Sequence, residues 1–147
     1  MKTFVVDTSV GAKWFLPRAN ESLSGEAETL LDSYTRGQAD LLVPDLFWAE
    51  LGNVLWIAVR HHRITPQQAE VSLTKAQHLG LIVVGSLELL SAAFPVALAA
   101  DRSFYDSLYV AVALLAKADL VTADERLANA MSPRFPVRWL GALATYL

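Results

Sequence analysis

Four carboxylates stand where this 147-residue chain gives a carboxylate no ordinary reason to be. Asp7 closes the β-branched run Thr3 to Val6, and Asp124 lies just beyond Leu120-Val121-Thr122. Asp106 falls in the first turn of an apolar segment that begins at Ser103, and Glu50 interrupts the apolar side of another helical segment. A charged carboxylate on apolar ground is costly unless it is paired, hydrogen-bonded, protonated or bound to a cation. Two such charges about 4 Å apart repel by roughly 4 kcal/mol at an effective dielectric near 20, so a converging set takes up protons or holds a divalent ion. All-oxygen donors favour Mg²⁺ or Mn²⁺, which keep several waters, and a water acidified by the ion can attack a phosphodiester. Acting together as catalytic groups and metal ligands, Asp7, Glu50, Asp106 and Asp124 point to phosphodiester hydrolysis.

Each acid alone has a plainer explanation. Asp7 could cap the short helix that follows it, Asp106 and Asp124 could answer helix dipoles, and Glu50 could face solvent if the phase of its helix differs. Their joint placement carries the argument.

The elements that must bring them together follow from periodicity and punctuation. Thr3 to Val6 reads as a buried first strand, with Thr8 or Ser9 capping a short helix through Phe15. Leu23, Ala27, Leu30, Leu31 and Tyr34 give helical spacing over Glu21 to Arg36, stopped by Gly37, and a strand at Leu41 to Val43 follows. Pro44-Asp45 opens a helix to about Arg60, with Leu46, Ala49, Glu50, Asn53 and Ile57 along its inward side. Thr65-Pro66 caps and starts a helix to about Leu79, and Leu81 to Val84 is a strand. Pro95 is expected to kink the segment Leu87 to Ala100 or to delay its start to about Ala92. Ser103 caps a helix through Ala116, Leu120 to Thr122 is a strand, Asp124 starts a helix to Met131, and Val137 to Leu140 is the last strand.

Strands alternating with helices, and apolar throughout rather than at every second residue, imply a parallel sheet covered on both faces: one α/β domain over residues 1–147, a three-layer α/β/α sandwich. Ligands of such sheets sit beyond the carboxyl ends of the strands where strand order reverses, which is where Asp7 and Asp124 fall.

Composition narrows the function classes. A net charge of −3 argues against a protein that merely coats nucleic acid, although bound cations would cancel acidic ligands locally. With no cysteine, disulfides and thiolate chemistry are excluded. No apolar run reaches the roughly 18–20 residues of a membrane span, and Met1-Lys2-Thr3 runs into a strand without the features of a signal peptide, so a cytosolic protein with no membrane association is expected. The hydrophobic fraction of 54% exceeds the roughly 45–50% of an average domain, leaving apolar residues for a partner surface.

Other residues carry less. Asn53, one turn after Glu50, could line the pocket and orient that carboxylate or a water, or simply face solvent. Asp101 reads as a loop residue rather than a fifth acid, and Arg102 and Arg126 as surface cations that could touch a nucleic-acid phosphate. Trp14, Trp48, Trp56 and Trp139 read as core or interface packing before base stacking. His61, His62 and His78 lack the spacing of a metal site.

At four stretches the chain resembles the PIN-domain family and, within it, the VapC-type toxins: Phe4-Val5-Val6-Asp7-Thr8-Ser9-Val10, Val43-Pro44-Asp45-Leu46 continuing to Glu50, Tyr105-Asp106-Ser107-Leu108-Tyr109-Val110-Ala111, and Val121-Thr122-Ala123-Asp124-Glu125-Arg126-Leu127. An aspartate after a strand is common, but four such blocks in this order are specific. The resemblance implies a PIN-like fold with a five-stranded parallel sheet, Mg²⁺ or Mn²⁺ dependence, and endoribonuclease activity of a toxin paired with a cognate antitoxin. It implies a homodimer, matches Asp7, Glu50, Asp106 and Asp124 to the family's acidic ligands, and matches Ser9 and Thr122 to residues lining its pocket. Pro95 departs from the family's pattern without touching an acid.

Two other acidic-pocket folds fit less well. A receiver domain wants paired acids after the first strand, where this chain has Val6-Asp7-Thr8, and a late lysine, where it has Arg138. A haloacid-dehalogenase-like phosphatase wants an aspartate at position 9, which is Ser9. A PIN-fold RNA-binding or RNA-processing module that is not a toxin remains the alternative function.

Overall fold

Residues 1–147 are described by a computed structural model. Five strands, β1 (Lys2–Val6), β2 (Ala39–Pro44), β3 (Ile82–Val84), β4 (Asp119–Thr122) and β5 (Val137–Trp139), form one parallel sheet in the order β3-β2-β1-β4-β5. Phe4, Val5 and Val6 of β1 and Leu120, Val121 and Thr122 of β4 are all buried although successive side chains leave opposite faces. Both faces of the sheet centre are therefore covered, which makes the fold a three-layer α/β/α sandwich.

Seven α-helices surround the sheet: α1 (Thr8–Gly11), α2 (Ser24–Thr35), α3 (Leu46–Arg60), α4 (Pro66–Gln77), α5 (Ser86–Ala100), α6 (Phe104–Ala116) and α7 (Glu125–Met131). The apolar α6 lies against β1, β2 and β4, and α5 packs on α6. The chain steps outward from β1 through β2 to β3, then returns by α5 and α6 to β4 on the other side of β1. Strand order thus reverses between β1 and β4, which opens a crevice beyond their carboxyl ends.

Local signals account for most boundaries. The Thr65 hydroxyl accepts from the Gln68 N–H at 3.1 Å while the Gln68 side chain accepts from the Thr65 N–H at 2.8 Å, a complete capping box in front of Pro66. Ser103 caps α6 by accepting from the Asp106 N–H at 3.1 Å. Gly37 and Gly80 take φ of 71° and 73° where α2 and α4 give way to the next strands, a conformation that costs other residues more.

Three expectations need correction. Pro95 does not delay α5 to Ala92: the helix runs continuously from Ser86 with the proline inside it. The acceptor that a proline leaves without a donor belongs to Ser91, and both residues are exposed, so water can replace the lost bond. Neither Thr8 nor Ser9 caps the first helix: the N-cap is Asp7, α1 ends at Gly11, and a 3₁₀ turn at Ala12–Trp14 continues it. The inward face of α3 is Phe47, Leu51, Leu55 and Ala58, whereas Ala49, Asn53 and Ile57 are exposed. This helix is apolar almost all round, so several phases fit its spacing and only packing against the core selects one.

Candidate active site

Asp7 follows β1 directly, and its N–H bonds to the Val121 carbonyl at 3.0 Å, extending the ladder between β1 and β4. The residue stands at the reversal of strand order. Its carboxylate makes no capping bond to α1. Oδ2 instead accepts from the Ser9 hydroxyl at 2.7 Å and the Thr122 hydroxyl at 2.9 Å. The Ser9 oxygen accepts from the Ala123 N–H at 3.0 Å and the Thr122 oxygen from the Asp124 N–H at 3.1 Å, so the loop after β4 fixes both hydroxyls. Oδ1 accepts no hydrogen bond, and Trp139 Nε1 is the sole fully buried side-chain polar atom lacking a partner, so Oδ1 keeps a path to solvent.

Glu50 reaches the same neighbourhood through the contact of α1 with α3. A Cβ built on Gly11 would lie 2.7 Å from the Phe47 ring, so this glycine allows the two helices their close approach. One turn back along α1 from Gly11 is Thr8, and one turn forward along α3 from Phe47 is Glu50. The Thr8 hydroxyl donates to Glu50 Oε1 at 3.1 Å, and the Tyr109 hydroxyl of α6 donates to the same oxygen at 2.6 Å. Oε2 accepts nothing and, like Asp7 Oδ1, is not sealed from solvent.

Asp106 sits in the first turn of α6 and is half-buried. Asp124 is exposed at the rim, where Oδ1 accepts from the Leu127 N–H at 3.1 Å and caps α7. Asn53 is exposed on α3 with no side-chain hydrogen bond, so the structure does not join it to Glu50. Asp101 ends α5 as an exposed residue in the left-handed conformation.

The electrostatics tie these acids into one field. Burial pushes the Asp7 carboxyl up from 3.8 to about 6; the Ser9 and Thr122 bonds oppose the rise, and the charges of Glu50 and Asp106 add to it. Burial also raises Asp106, against the pull of Arg102 and Ser103 and with a further push from Asp124. Burial and the bond to Glu50 drive the Tyr109 phenol far above its ordinary range, so it stays protonated and donates. Repulsion therefore runs from Glu50 to Asp7 to Asp106 to Asp124. No three acids or histidines close into a set that could enclose an ion by side chains alone.

The donor chemistry fits a hard divalent cation. Asp7 and Glu50 each spend one oxygen on hydroxyl donors and keep the other free, and Mg²⁺ ordinarily takes one or two carboxylates with waters completing its shell. Asp106 and Asp124 add negative charge beside them. A cavity of about 640 Å³ lies elsewhere, along β5 beside Arg134, Arg138 and Tyr146, and none of the four acids lines it.

Tyr109 and Thr8 escaped sequence reasoning. Tyr109 falls one turn after Asp106 on the same side of α6, a spacing that could have marked it; nothing in the sequence links it to Glu50, 59 positions away.

No curated protein sequence matches the chain significantly. Among solved structures, PAE2754 from Pyrobaculum aerophilum is similar over 98% of this chain and 90% of its own, with 23% identity and a TM-score of 0.64. A toxin-antitoxin complex from Klebsiella pneumoniae is similar over 91% of this chain and 94% of that one, with 16% identity and a TM-score of 0.60. At these identities both comparisons speak to fold alone. Residues 4–131, which include all four acids, match the PIN domain, a nuclease fold, and the chain belongs to the PIN-domain family.

Proposed function

We propose that this protein is a Mg²⁺- or Mn²⁺-dependent endoribonuclease that hydrolyses RNA phosphodiester bonds and serves as the toxin of a toxin–antitoxin pair, inhibiting translation until its antitoxin binds. The observation that carries the reading is the pairing of Asp7 and Glu50 at the reversal of strand order, each with one oxygen fixed by hydroxyls and one left free.

In this reading Asp7 and Glu50 hold the cation, with Asp106 and Asp124 completing the acidic set. When bound, the ion supplies Lewis acidity that acidifies water and offsets phosphate charge. Ser9 and Thr122 keep Asp7 turned so that Oδ1 faces outward. Four negative charges at one sheet edge repel RNA, so the substrate approaches only when that charge is neutralised. Arg102, whose charge already acts on Asp106, stands where a phosphate could be met.

The toxin role rests on the resemblance of the sequence blocks to VapC-type proteins and agrees with the likeness to the Klebsiella complex. An antitoxin or a second copy needs apolar ground, and α5 offers a stripe of Leu87, Leu90, Phe94 and Leu98, exposed by 84%, 45%, 58% and 71%. A homodimer in the cytosol belongs to the same proposal; no helix is long and apolar enough to cross a membrane.

Incubating purified protein with structured RNA and millimolar Mn²⁺ tests the reading. Cleavage that stops with chelator and is lost in folded Asp7→Asn and Asp106→Asn variants is expected. Equal cleavage by those variants would defeat the site assignment, and intact RNA under all conditions would favour an RNA-binding module that is not a toxin.

A further inference from the structure

We infer that Tyr109, assisted by Thr8, is a positioning residue that holds Glu50 by one carboxylate oxygen and so leaves the other aimed into the cation site. The inference rests on the reading of the four acids as a cation site and names a part of it that the acids themselves do not reveal.

Three observations carry it. Tyr109 and Thr8 are 2% and 5% exposed, and their hydroxyls, 2.5 Å apart, both lie against Glu50 Oε1. Neither hydroxyl bonds to Oε2, so the contacts restrain the carboxylate without blocking it. Most neighbours of Tyr109 on α6 are apolar and buried: Leu108, Val110, Ala111, Val112 and Ala113. A phenylalanine would fill the ring's place there, so what the tyrosine adds is the hydroxyl, and its partner is an acid.

The geometry gives the hydroxyl a task beyond satisfying itself. Glu50 has three side-chain torsions and stands on a helix face bordering solvent, so without an anchor its carboxylate would sample many positions. Groups that orient a ligand without touching the metal typically change metal affinity by about 10–100-fold when removed. Tyr109 also shares α6 with Asp106, one turn away, so one rigid helix delivers an acid and sets the direction of a second acid on α3. The separation of Asp106 from Glu50 is thereby tied to helix packing rather than to a flexible side chain.

Mn²⁺ titration by calorimetry, on protein shown to be folded by near-ultraviolet circular dichroism, tests this. Tyr109→Phe is expected to weaken Mn²⁺ binding by about tenfold or more. Thr8→Val is expected to weaken it less, and Thr8→Ser to restore it. In a Glu50→Gln background, Tyr109→Phe is expected to cost nothing further, because its effect passes through Glu50. Wild-type affinity in Tyr109→Phe alongside weakened binding in Glu50→Gln would overturn the positioning role alone. A Tyr109→Phe loss that persists undiminished in the Glu50→Gln background would overturn it too, as a merely structural effect. Wild-type affinity in Glu50→Gln would overturn the cation reading and the positioning role with it. If Tyr109→Phe fails to fold, the contrast of Thr8→Val with Thr8→Ser decides the same question.

Discussion

β1 and β2 lie side by side, and each delivers an aspartate at its carboxyl end: Asp7 from one, Asp45 from the other. Both N–H groups continue a strand ladder, to Val121 at 3.0 Å and to Val84 at 2.9 Å. There the likeness ends. Asp45 is exposed and spends both oxygens on Ser86, accepting from its N–H at 3.0 Å and from its hydroxyl, which ties down the start of α5. Those bonds hold its carboxyl below the ordinary range. Asp7 is partly buried, keeps one oxygen free and feels two other acids, and its carboxyl rises to about 6. An acid that ends a strand is therefore not a site by virtue of its position. It becomes a candidate where burial and like charge raise the cost of ionisation and one oxygen is left free, a cost that a bound cation would offset.

Exchanging each aspartate for asparagine should produce the largest contrast. Asp7→Asn is expected to reduce Mn²⁺-dependent RNA cleavage by more than the roughly 10–100-fold typical of a supporting residue, while Asp45→Asn stays close to wild type in the same gel assay. Comparable losses in both would erase the contrast between the two acids.

Thermal melts with and without Mn²⁺ give the next largest. An ion at about 100 times its dissociation constant adds roughly 2.7 kcal/mol, expected for wild type and Asp45→Asn but largely absent in Asp7→Asn.

Without metal the two acids should oppose each other in pH. Because the Asp7 pKa is raised on folding, its contribution is most favourable below 3.8 and is lost as pH rises through about 6. Metal-free Asp7→Asn is accordingly expected to be more stable than wild type above pH 6, by up to about 3 kcal/mol, with the gain fading toward pH 3.8 in urea titrations. The lowered Asp45 contributes above its unfolded value and loses that contribution as pH falls through its folded one.

The smallest effect concerns the bonds between Asp45 and Ser86. Asp45→Ala and Ser86→Ala should each cost about 1 kcal/mol at pH 7, and the double variant little more than either, measured by urea unfolding.

Much of this was legible in the residues. Caps and turns are local, so Thr65, Ser103 and Gly80 announced their helix boundaries, and the acids after β1 and β4 pointed to the edge of the sheet where the candidate site is proposed. The phase of α3 was not legible, because Phe47, Trp48, Leu51, Val54, Leu55, Trp56 and Ile57 leave no polar face to read. Pro95 misplaced the start of α5 because its missing N–H leaves only the Ser91 carbonyl without a donor, and that residue is exposed to water.

What the sequence determined by itself is therefore the set of elements, their alternation, and the acids that the strand ends present, since these depend on spacing and neighbouring residues. Tertiary structure alone decided which carboxylate oxygens are held and which are free. Ser9 and Thr122 meet at Asp7 from 113 positions apart, and Tyr109 reaches Glu50 from another helix. Hydrogen bonds and desolvation act over a few ångströms of space and are blind to distance along the chain, so the chemistry of these acids comes into being only when the sheet and its helices have packed.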